Sequence, residues 1–257
     1  MKLAIIGGSL LKNIDRFNVL SQEQIHTPYG DPSDNFVSVE INGLELVYLN
    51  RHAQSHHIAP HQINYKANMF ALKILDVSHV IAVTAVGGIS ENMSPMMWAV
   101  PDQIIDYTHG RAQTYTDVND SSVRHVDFTY PFEASLSEQV QQAMQAIGCV
   151  YQSAATYGVT QGPRLETIAE IRRMHRDGCD IVGMTAMPEA GLARELDMAY
   201  ATMSLVVNWA AGAGDSAETA DKKAEIITMD EIRERIEQGS AMAENIIEQL
   251  AGQLAGQ

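Results

Sequence analysis

Five positions pair a side chain able to hold an anion with a place where backbone can come close to a ligand. Ser9 follows Gly7-Gly8 at the end of the apolar run 3–6. Arg51 and His52 follow the apolar run 44–49. Thr84 closes the run 80–83 and leads to Gly87-Gly88, and Thr185 lies just before Pro188. Glycine turns and helix starts present unpaired N–H groups. Glycine also removes the Cβ that would keep a ligand off the main chain, and a guanidinium fork matches phosphate oxygens. The chemistry suggested is the binding of phosphate. Plainer readings stand beside it: an arginine also serves in a surface ion pair, and residues 84–88 also read as a strand entering a glycine-rich turn. If Arg51 belongs to an anion site and not to the core, Arg51→Ala should raise the phosphate requirement and leave folding nearly intact.

Other chemistries fit less well. Leu10, Leu11 and Lys12 follow Gly7-Gly8-Ser9 where a dinucleotide fingerprint needs further glycines. His52, His56, His57 and His61 crowd one segment, but there is no HExxH, Pro60 interrupts helical spacing and no carboxylate lies between them, so no metal is expected. The two cysteines, Cys149 and Cys179, make no disulfide framework. The net charge of −15 argues against a nucleic-acid partner and requires an anionic substrate to be held by local cations or N–H groups. Glu166, after Gly162-Pro163, reads at first only as a carboxylate complementing a helix dipole.

The elements that must position these groups follow from periodicity. Residues 80–83 are an unbroken apolar run, the pattern of a strand buried on both faces, and ligands of open α/β sheets sit beyond the carboxyl ends of such strands. Asn42-Gly43 between 36–40 and 44–49 signals a hairpin, so the sheet is expected to be mixed. Further strands are expected over 3–6, 102–106, 150–158, 180–182 and 200–207, and helices over 62–75, 135–147, 167–176 and 188–196. A last helix should start from a Thr228/Glu231 capping box, with Ile232, Ile236, Met242, Ile246 and Leu250 on its apolar side. Residues 93–99 read as a Met-rich loop, 108–131 as a long polar stretch used for function or subunit contact, and 211–224 as a lid candidate. The whole is an α/β protein of 257 residues, 46% apolar, large enough for a sizeable core. A strand-like LAIIGG directly after Lys2, and no run near the roughly 20 apolar residues of a membrane span, lead to the expectation of a cytoplasmic protein without a membrane partner.

Taken together, Gly7-Gly8-Ser9, Thr27-Pro28-Tyr29-Gly30 with Pro32-Ser33, Arg51-His52, Asn64-Tyr65-x-Ala67-Asn68, Thr84-Ala85-x-Gly87, Gly162-Pro163-Arg164 and Met184-Thr185-x-x-Pro188-Glu189 resemble the trimeric purine nucleoside phosphorylase family, within it the methylthioadenosine phosphorylase branch. The resemblance spans nearly the whole chain in order. It implies one domain over 1–257, built on a mixed, partly barrel-like sheet flanked by helices. It implies phosphorolysis of a purine nucleoside to free base and pentose 1-phosphate, with inorganic phosphate as co-substrate and no metal or organic cofactor. Ser9, Arg51, His52, Thr84, Ala85 (through its N–H) and Thr185 would hold phosphate. Met184 would lie under the pentose, and Ala85, Val86, Gly87 and Leu165 would wall the base. His125 would reach the neighbouring subunit's site in a homotrimer.

The departures from the branch are as informative. Where methylthioadenosine phosphorylases carry an Asp-x-Asp pair, this chain has Asn208 and Ala210. An amide accepts from N7–H while donating to a 6-oxo group, and Glu166, where that branch has small hydroxyl residues, would accept from N1–H. Both point to a 6-oxopurine. Ordinary 6-oxopurine phosphorylases use a histidine on the last helix for the 5′-hydroxyl; none follows His175 here, and Met229 would offer an apolar surface suited to a 5′-methylthio group. The expected substrate is 5′-methylthioinosine, with methylthioadenosine or inosine and guanosine as alternatives.

Overall fold

The protein is described here from a computed structural model covering residues 1–11, 14–116, 123–214 and 226–256. In chain order its elements are β1 (Leu3–Gly7), β2 (Asn18–Glu23), β3 (Phe36–Ile41), β4 (Leu44–Asn50), α1 (Tyr65–Ile74), β5 (His79–Gly88), β6 (Trp98–Ala99), β7 (Gln103–Asp106), α2 (Ala134–Ala146), β8 (Tyr151–Gln152), β9 (Thr156–Val159), α3 (Ile168–Arg176), β10 (Ile181–Gly183), α4 (Ala186–Glu195), β11 (Ala199–Trp209) and α5 (Met229–Ala255). They form a mixed α/β fold on one sheet with the strand order β2-β3-β4-β1-β5-β10-β9-β7, and β11 lies along β5.

The sheet forks at β5. β1 pairs in parallel with the first part of β5, β10 pairs antiparallel with Gly87 and Gly88, and β11 runs beside it from His79 to Gly88. Alternate residues of β5 therefore enter two cores. Ile81 and Val83 pack with Leu205 and with Ile246 and Leu250 of α5, whereas Val80 and Ala82 pack with Met69 and Leu72 of α1 and Leu192 of α4. Each such valine, leucine, isoleucine or methionine contributes roughly 1.5–3 kcal/mol on full burial, which fixes the strand whose carboxyl end carries Thr84 to Gly87.

Local signals act as expected at several joints. Asn42 and Gly43 both have positive φ, 52° and 82°, as a two-residue primed hairpin turn requires. Asn64 caps α1 by accepting from the Ala67 N–H, and Thr228 caps α5 by accepting from the Glu231 N–H. Three expectations need correction. The single strand over 150–158 is two short ones, because β8 joins β6 while β9 joins β7 and β10, and the chain must step between ladders. β6 lies inside the expected loop 93–99. β2 was not foreseen: all six of its residues are exposed, so an edge strand held only by β3 shows no apolar period. Residues 108–131 hold no helix or strand among the described residues. Most of the expected lid, 215–224, lies outside them.

Candidate functional site

The carboxyl end of β5, the end of β11, the β10–α4 turn, the segment after β9 and the start of α5 converge on a cavity of about 620 Å³. Ser9, Arg51, His52, Thr84, Ala85 and Thr185 border it, as do Val86, Gly87, Leu165, Glu166, Met184, Asn208, Ala210 and Met229. His125, the remaining expected residue, is exposed and does not border its own chain's cavity.

Arg51 differs most from its sequence reading. It is 1% exposed and forms a buried bidentate pair with Glu189, Nε to Oε1 at 2.5 Å and Nη2 to Oε2 at 3.0 Å. Tyr200 donates its hydroxyl to the same carboxylate at 2.9 Å. Burial works against the guanidinium's charge, but Glu189's charge and hydrogen bonds outweigh it and the pKa is raised. Arg51 thus borders the cavity and is also a core group. Gly8 is needed there, because a Cβ on it would stand 2.8 Å from Arg51 Nη1.

With Arg51 balanced by Glu189, most of the anion-binding capacity at this end is neutral. His52 Nδ1 donates to the Ile58 carbonyl at 2.8 Å, which leaves the Nε2 lone pair as an acceptor in the neutral ring. Burial, and then the Arg51 and His56 charges, pull the His52 pKa down to about 4 against the smaller opposing effect of that hydrogen bond, so the ring is neutral at pH 7. Its ring centroid lies 4.6 Å from that of His56, whose Nε2 is 3.3 Å from Ser9 Oγ. Thr84 Oγ1 is 2.7 Å from Ser204 Oγ of β11. Thr185 precedes α4, whose helical geometry is broken at Met187 (φ −112°, ψ 134°), so its continuous turns begin at Pro188.

At the other end, a register shift between Val206 and Asn208 inserts Val207 as an extra residue. A regular strand sends neighbours to opposite faces, but across this bulge both Val207 and Asn208 border the cavity. Asn208 Nδ2 donates to the Trp209 carbonyl at 2.7 Å, which uses one of its two amide hydrogens. Glu166 is not a helix-capping group. Thr167 and Glu170 form the capping box of α3, so Glu166 stands just outside the helix, and Thr160 donates to its Oε1 at 2.6 Å.

Several contributors were not expected at the site. Ile227, Ile232 and Ile236 join Met229 at the α5 side of the cavity, with Arg233 and Glu237 beside them. Arg111, in the aperiodic 108–131 stretch, donates to the carbonyls of Thr160, Gln161, Met184 and Met187 at 2.6–3.2 Å and so ties the segment after β9 to the β10–α4 turn. Only contacts across the fold reveal either set.

Residues 2–251 match the phosphorylase superfamily model. A probable S-methyl-5′-thioinosine phosphorylase of Xanthomonas campestris pv. campestris is 42% identical over 97% of this chain and 96% of its own. The 6-oxopurine nucleoside phosphorylase of Pyrococcus furiosus is 40% identical over 88% and 86%. The structure of Schistosoma mansoni methylthioadenosine phosphorylase in complex with adenine superposes with a TM-score of 0.90 at 28% identity, covering 100% of this chain and 93% of that one. The chain belongs to the phosphorylase superfamily. Within it, it is a pentosyltransferase of the purine nucleoside phosphorylase type.

Proposed function

We propose that the cavity catalyses phosphorolysis of 5′-methylthioinosine to hypoxanthine and 5-methylthioribose 1-phosphate, a purine salvage step with inorganic phosphate as co-substrate and no other cofactor. The observation that carries this reading is the presence of Asn208, Glu166 and the apolar group Ile227, Met229, Ile232 and Ile236 on one cavity. A phosphate oxygen forms the new bond to C1′ as the C1′–N9 bond breaks, its electron pair passing to the purine. Phosphate held by Ser9, Thr84, Thr185, the Ala85 N–H and the Arg51 side chain, with the His52 Nε2 lone pair accepting from a protonated phosphate oxygen, lies against a pentose carrying growing positive charge, which the anion stabilises. Asn208 accepts from N7–H and donates to O6, and Glu166 accepts from N1–H. Met184 underlies the pentose, while Val86, Gly87, Leu165 and Ala210 pack on the base.

The methylthio group fits Met229 and the neighbouring isoleucines. A second reading, with inosine as substrate, is favoured by one observation: Arg233 and Glu237 border the same side and could pair with a 5′-hydroxyl. The relatives support both, one being named for thioinosine and another for 6-oxopurine nucleosides. Hypoxanthine release from 5′-methylthioinosine should require inorganic phosphate; release without it, or none with it, contradicts phosphorolysis.

We infer that the active form is a homotrimer in the cytoplasm, with His125 completing a neighbour's cavity. Two free buried cysteines suit a reducing compartment, and among the described residues no helix is long and apolar enough to cross a membrane. Sedimentation during turnover should find a trimer, and a fully active monomer would rule this out.

A further inference from the structure

Thr160 does not border the cavity, yet it holds the residue on which base choice turns. It follows the last residue of β9, and its backbone is held from both sides: its N–H donates to the Gly183 carbonyl at 2.8 Å, and its carbonyl accepts from Arg111 at 3.2 Å. Its hydroxyl has two acceptors within reach. Glu166 Oε1 is at 2.6 Å and the Gly183 carbonyl at 3.4 Å. The first distance belongs to a charge-assisted O–H···O⁻ bond, and the second is too long to compete for the single hydrogen. The hydroxyl therefore spends its proton on Glu166.

From this geometry we propose that Thr160 is a specificity-determining positioning residue, which engages Glu166 Oε1 and so holds the carboxylate with Oε2 free to meet N1 of the purine as an acceptor. The inference rests on the reading that Glu166 faces the base. A 6-oxopurine carries a hydrogen on N1 and satisfies that oxygen. A 6-aminopurine carries a lone pair there and leaves two acceptors opposed. Without the Thr160 hydroxyl, Oε1 loses its partner and the carboxylate can turn away from N1. Thr160 thus sets the aim of Glu166 without touching the substrate.

Thr160→Val keeps the branched shape and removes the donor, and Thr160→Ser restores the donor without the methyl. Specificity constants for 5′-methylthioinosine and 5′-methylthioadenosine should be measured for wild type and both variants, with thermal unfolding as a check on folding. Thr160→Val should shift the ratio toward the 6-aminopurine by about tenfold, the scale of one hydrogen bond to a charged group; Thr160→Ser should retain the wild-type ratio, and the KM for phosphate should be unchanged in both. A ratio unmoved by Thr160→Val overturns the proposal, as does a Thr160→Ser ratio equal to that of Thr160→Val. If Thr160→Val does not fold, Thr160→Ala is compared with Thr160→Ser in its place. The wild-type ratio by itself tests the 6-oxopurine reading, so failure of that reading and failure of this one are told apart.

Discussion

Arg51→Ala should lose about 3–5 kcal/mol of folding stability, the usual cost of breaking a buried ion pair from one side. The loss is large against the 5–15 kcal/mol that holds a typical domain folded. The reason is what remains: Glu189, 0% exposed, would be left, among the described residues, with the Tyr200 hydroxyl as its strong partner. This replaces the expectation from sequence that the variant folds almost normally and merely needs more phosphate. Urea midpoints of Arg51→Ala and of the double variant Arg51→Met, Glu189→Met separate pair-breaking from loss of volume. The double variant should recover most of the stability, short of the Tyr200 hydrogen bond, while staying inactive because the cation bordering the cavity is gone. Wild-type stability in Arg51→Ala would show that the pair does not hold the fold.

Asn208→Asp should move base preference toward the 6-aminopurine by about ten- to a hundredfold, since an unpaired acceptor facing O6 costs on the order of 1–3 kcal/mol. The structure adds a second consequence. The Asn208 amide donates to the Trp209 carbonyl at 2.7 Å, and a carboxylate there would face another oxygen. The variant should therefore lose absolute activity on both nucleosides while the ratio moves. Glu166 still favours N1–H, so the switch is incomplete, and adding Glu166→Ser should extend it. If Asn208 only secures the end of β11, both activities fall together and the ratio of specificity constants stays at its wild-type value.

Much of the site was legible because its residues lie where the chain changes state. Ser9, Thr84 and Thr185 end apolar runs or precede helices, and a run, a glycine pair and a proline are local signals. What the sequence left dark depends on distance along the chain. Glu189 and Arg51 are 138 positions apart, and nothing local reveals that they meet. Thr160 looks like one polar residue in a turn until Glu166 folds back on it. Arg111 sits in a stretch without period, where its four backbone acceptors are set by packing alone. β2 escaped notice for a related reason: an exposed edge buries no face and so imprints no alternation. The bulge at Val207 is a matter of register, and only the pairing with β5 exposes it.

The central claim is that this cavity selects a 6-oxopurine nucleoside with an apolar 5′ group. Its most direct test is the set of specificity constants for 5′-methylthioinosine, 5′-methylthioadenosine, inosine and guanosine at saturating phosphate. 5′-Methylthioinosine should lead, ahead of 5′-methylthioadenosine through Asn208 and Glu166 and ahead of inosine through Met229 and its neighbours. A preference for 5′-methylthioadenosine over 5′-methylthioinosine would contradict it.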